Sequence, residues 1–94
     1  MTPKQIELAR HALGLVDGRK VSYRNRYFAG PGSDIHNEWM AMVSAGEAKQ
    51  IMVTDAFRPT DFFWLTEKGA RAALRPNEQL DHEDFPAAEG ITNG

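Results

Sequence analysis

Trp39-Met40-Ala41-Met42-Val43-Ser44-Ala45-Gly46-Glu47-Ala48-Lys49 and, after a polar interval, Phe62-Phe63-Trp64-Leu65-Thr66-Glu67-Lys68-Gly69-Ala70-Arg71-Ala72-Ala73-Leu74 decide the fold of this chain. The first stretch ends a helix and opens a strand. Ile35, Trp39, Met42 and Val43 fall on one helical stripe, Ser33 or Asp34 caps its start, and Gly46 suits its exit. Residues 48–53 then read as a strand, with Ile51 and Val53 on one face. Residues 54–61 read as a polar turn containing Pro59. Phe62-Phe63-Trp64-Leu65 returns as an aromatic strand. Alternation sends Phe63 and Leu65 one way and Phe62 and Trp64 the other. One of these pairs then needs cover from helix one, from Leu80 and Phe85, or from a second subunit. Thr66 caps a third helix, with Glu67 at the positive end of its dipole. Leu65 and Ala70 stand at hydrophobic-staple positions. Ala70, Ala73 and Leu74 face the core, and Pro76 stops the helix after Arg75.

Working outward, Thr2-Pro3-Lys4-Gln5 is a capping box with proline at the first helical position. Ile6, Ala9, Leu13 and Val16 continue a helical stripe, which Gly14 or Gly18 ends. Residues 19–32 give no helical period and contain Gly30-Pro31-Gly32. They read as a long irregular connection with room for a short strand. The expected class is α+β, three helices and a β-hairpin in the order α-α-β-β-α.

The helix ending in Gly46, the hairpin, and Leu65-Thr66-x-x-Gly69 with Ala73-Leu74 resemble the back half of a winged-helix domain, over residues 35–75. The resemblance implies a winged-helix-like scaffold. A complete one carries a further helix where residues 19–32 stand, so here that member is either degenerate or replaced by a loop. Tyr23-Arg24-Asn25-Arg26-Tyr27-Phe28-Ala29-Gly30-Pro31-Gly32 resembles small uncharacterised proteins of tailed phages and prophages. That resemblance implies a cytoplasmic setting in a bacterial host cell.

The net charge of −2 hides a division. Residues 1–75 hold 11 basic and 8 acidic residues, or +3, and residues 76–94 hold five acidic and no basic ones, or −5. We therefore expect a domain over 1–75 and an acidic, partly mobile C-terminal arm over 76–94. Removing residues 77–94 should then leave the domain folded. The chain has no cysteine, which excludes disulfides and thiolate chemistry. It has no run long enough to span a membrane and no leader-like N-terminus.

No residue set matches a catalytic motif. His11, His36 and His82 lack metal-ligand spacing, and the serines have no base at motif spacing. Asp81-His82-Glu83-Asp84 reads as a solvated acidic run. We expect no enzyme activity, no metal and no cofactor. A protein partner is expected at Arg24, Arg26, Tyr27 and Arg58, with Phe62 and Trp64 as an aromatic face, since Arg and aromatics concentrate at interface centres. A homodimer would serve the same end, by covering the aromatic face or by seating the acidic arm on the basic loop of a second copy. The alternative is DNA binding, with helix two in the major groove and contacts from Arg58, Lys49, His36, Asn37, Arg24 and Arg26. Asp34, Glu38 and Glu47, with no Lys or Arg between them, make that helix a poor approach to a polyanion.

Overall fold

Each helix begins at a side-chain cap. In this computed structural model, which describes residues 1–53 and 60–86, α1 is Pro3–Leu13, β1 Tyr27–Ala29, α2 Asp34–Ser44, β2 Ala48–Val53, β3 Thr60–Leu65 and α3 Glu67–Ala72. The Thr2 hydroxyl accepts from the Gln5 amide at 3.1 Å, and the Thr2 amide donates to the Gln5 side chain at 3.0 Å, completing the box. Ser33, rather than Asp34, caps α2 by accepting from the His36 amide. Gly14 ends α1 at φ +79°, so Val16 lies past the helix and is exposed instead of extending its stripe. α3 closes at Ala72, before the Pro76 stop is reached.

The sheet has three antiparallel strands, ordered β1-β3-β2, where a two-stranded hairpin was the expectation. The extra strand comes out of the connection at residues 19–32, pairing Tyr27 with Phe63 and Phe28 with Phe62. β3 also starts earlier than the aromatic run, so Thr60 and Asp61 belong to the strand. Burial alternates along it: Asp61, Phe63 and Leu65 face the helices, and Thr60, Phe62 and Trp64 face away. Trp39 of α2 stacks on Phe63 with centroids 5.4 Å apart. Around this pair pack Leu8, Ala12 and Leu13 of α1, Met42 of α2 and Ala70 of α3. Ile35 and Val43, expected in the stripe of α2, sit at the rim of this core and are partly buried.

The junction between β3 and α3 is locked by backbone carbonyls. Thr66 donates its hydroxyl to the Gly46 carbonyl and its amide to that of Glu47. Its oxygen also accepts from the Gly69 amide at 3.2 Å.

The division at 75/76 is not one the packing follows. Glu78 forms a bidentate ion pair with Arg10 of α1, at 2.5 and 2.7 Å. Gln79 bridges Val21 in parallel register, and Phe85 is buried in the core cluster. Up to Phe85 the acidic arm is part of the body, because its few apolar and paired groups have partners that charge counting does not reveal. Among the described residues no helix is long and apolar enough to cross a membrane.

Candidate docking face

With all three helices on one side, the other side of the sheet is laid out by register. Phe28, Phe62 and Ile51 form one cross-strand row, and Trp64 and Lys49 stand opposite each other in the next. The Phe28 and Phe62 rings are 5.0 Å apart, and those of Phe62 and Trp64 are 5.5 Å apart. Phe28 is 57% exposed and Ile51 55% exposed. Phe62 and Trp64 are half-buried, shielded by each other and by Phe28. Phe85, offered as their cover, has instead entered the core, although it and Pro86 line a hollow with Trp64 and Lys49.

At the β1 edge, Arg24, Arg26, Tyr27, Phe28 and His11 line a shallow hollow of about 300 Å³. The structure thus brings together Arg24, Arg26 and Tyr27, but with different duties. Arg24 donates through Nε and Nη2 to the His11 carbonyl, at 3.2 and 2.8 Å, closing the C-terminal end of α1. Tyr27 packs inward, 5.3 Å from Trp39. Arg26 is exposed, as is Lys49. No acidic side chain projects from the described strand residues on this outer face. Arg58 lies outside the described residues.

Of the residues named for DNA contact, Asn37 is exposed on α2, and His36 is turned inward. Its Nε2 lies 2.6 Å from Asp61 Oδ2, which also accepts from the Gln50 amide at 2.7 Å. An ionised carboxylate only accepts, so the His36 Nε2 carries the proton of this bond. The hydrogen bond from His36 holds the Asp61 carboxyl below the usual carboxylate range, helped by Gln50 and opposed by burial. The ring meets Phe63 edge-on, with centroids 5.5 Å apart. This placement follows from α2 geometry. Position 36 is one turn before Met40 and three before Trp39, and the buried flank of the helix begins there.

In the acidic run, burial and the neighbouring Asp81 and Glu83 push the Asp84 carboxyl up. Among the described residues no three side chains gather as a metal site.

Sequence reasoning missed Phe28 and Ile51 as members of the face. The signal is parity: once Tyr27 is opposite Phe63, Phe28 must point outward. A three-residue strand is too short to reveal that parity by itself. It also missed Asn25, whose side chain donates to the Leu65 carbonyl at 3.0 Å and accepts from the Leu65 amide at 2.8 Å. The amide group there imitates a backbone pair and extends the β1–β3 ladder by one step. No family model, no curated protein and no solved structure matches this chain.

Proposed function

We propose that this chain is a non-catalytic accessory protein of a phage or prophage, on a winged-helix-like scaffold, and that it works in the host cytoplasm by binding a protein partner. The outer sheet face is the docking surface. The observation that carries this reading is the row Phe28–Phe62–Ile51, two of its members more than half exposed, with cations on both flanks at Arg26 and Lys49. Exposed apolar patches with a polar rim are typical of protein interfaces. The scaffold reading is supported by the succession α2, β2, β3, α3 and by the Thr66–Gly69 junction. The phage setting rests on the resemblance of residues 23–32.

Duplex DNA binding has less support. α2 keeps Asp34 and Glu38, and His36 is engaged with Asp61. The test compares capture of host or phage proteins by the intact chain and by Phe28→Asp and Arg26→Glu, each checked for folding by circular dichroism. A partner that is bound specifically should lose about tenfold or more in affinity with either change, the size expected for a central interface residue. Equal capture by all three proteins overturns the assignment of this face. Salt-sensitive retention of duplex DNA that Lys49→Ala weakens would favour the nucleic-acid reading.

A further inference from the structure

We propose that a second copy of this chain pairs with the edge of β2 that faces away from β3, antiparallel, about a two-fold axis at Ile51. β2 is an outermost strand of the sheet. Among the described residues, no backbone hydrogen bond from Lys49 to Met52 goes anywhere but to β3. Edge strands of soluble proteins are normally blunted by charge, proline, a bulge or extreme shortness. β2 has six residues, and its only charge, Lys49, is near one end. It also exposes large apolar side chains on both faces, Ile51 at 55% on the outer side and Met52 at 71% on the inner side.

Self-pairing about Ile51 meets the requirements of an isologous contact. Residues directly opposite in an antiparallel pair point to the same face, so the register must preserve parity. Ile51 opposite its own counterpart does so, and Gln50 then falls opposite Met52 on the inner face. Each Lys49 falls opposite position 53, which separates the two lysines by about 14 Å along the strands. That exceeds the Debye length at physiological salt, so no like charges are forced together. The pairing satisfies the open backbone groups and covers Met52. It also joins the two outer faces, so the row Phe28–Phe62–Ile51 runs on into the same row of the second copy. Phe28, Phe62 and Trp64 stay open in such a dimer, so this contact does not depend on the docking role of the face.

The absence of cysteine makes the register directly testable. Cα atoms opposite each other in antiparallel strands are about 4.5–5.5 Å apart, within disulfide reach. Single-cysteine variants Ile51→Cys, Lys49→Cys and Phe28→Cys of the full chain are oxidised under copper–phenanthroline, and disulfide dimers are quantified. Ile51→Cys should cross-link at least about tenfold faster than Lys49→Cys, which is off register, and Phe28→Cys, on the opposite edge strand. Sedimentation of the unmodified chain at rising concentration should show its mass doubling from 10.5 kDa. Ile51→Lys alters an exposed position, should leave the circular dichroism spectrum unchanged, and should hold the chain monomeric. A monomer at every concentration, or cross-linking that is equal across the three variants or fastest at Phe28→Cys, overturns the proposal.

Discussion

A Cβ on Gly69 would lie 1.9 Å from the carbonyl oxygen of Glu47 and 2.8 Å from its carbonyl carbon. That glycine is required by a close approach of two backbones, since the same carbonyl accepts from the Thr66 amide. The obstacle is main chain, which cannot swing aside like a side-chain tip. Gly69→Ala should therefore destabilise the fold by about 2 kcal/mol or more, despite alanine's better helix propensity. Urea unfolding followed by tryptophan fluorescence measures this, and an unchanged midpoint would refute the packing argument. Gly14 is constrained in a second way: its φ is +79°, and the Tyr23 ring occupies the space a side chain would take. Tyr23 is itself bracketed by Arg19, whose guanidinium carbon is 4.3 Å from the ring centroid, a cation–π arrangement.

At the scale of elements, what the sequence reveals depends on how far away the partner is. Caps and helical stripes involve residues three or four apart, so Thr2 and Thr66 could be read directly and the cap of α2 narrowed to Ser33 or Asp34. β2 and β3 are close in sequence, and their hairpin was equally legible. β1 was not, because three residues carry little alternation and its pairing rests on a strand more than thirty residues later. Asn25 and Leu65 meet across 40 positions, and no local pattern marks an asparagine that substitutes for a backbone pair. The outer sheet face, the candidate docking surface, was legible in part. Phe62 and Trp64 followed from alternation, whereas Phe28 required the location of β1. The arm shows the limit of composition: acidic residues suggested an independent segment, but Glu78, Leu80 and Phe85 each pack on the body. A chain ending at Pro76 should consequently lose stability, where the charge pattern implied none. It would leave the Arg10 guanidinium without its carboxylate and uncover the site of Phe85. The loss expected is about 3 kcal/mol or more, by analogy with breaking a buried pair. Thermal unfolding of the truncated chain checks it, and an unaltered transition would restore the boundary at 75.

For the molecule as a whole, the Arg10–Glu78 pair sets an acid limit. The hydrogen bond from Arg10 holds Glu78 down to about 2, against 4.5 for an ordinary glutamate, with the Arg75 amide helping. A carboxyl depressed in the folded state favours folding fully above its unfolded value. That contribution fades as pH falls from about 4.5 towards 2. Asp61 acts in the same sense. Asp84 acts in the opposite sense, since its raised carboxyl is relieved by protonation. Stability measured between pH 5 and pH 2 should fall steeply, and Glu78→Gln should flatten the slope. A slope that survives the substitution would move the acid sensitivity elsewhere.

The same ion pair has a kinetic side. Arg10 and Glu78 are separated by 68 positions, and the bond cannot close until α1 and the chain beyond α3 are both in place. Closing a span of that length costs loop entropy before the contact repays it, so a late place in the folding order is expected for this pair. Glu78→Gln should leave the refolding rate almost untouched and show its whole effect as faster unfolding. On that expectation Arg10 and Glu78 would act as a latch, with little part in finding the native state and a larger one in how long the chain stays in it.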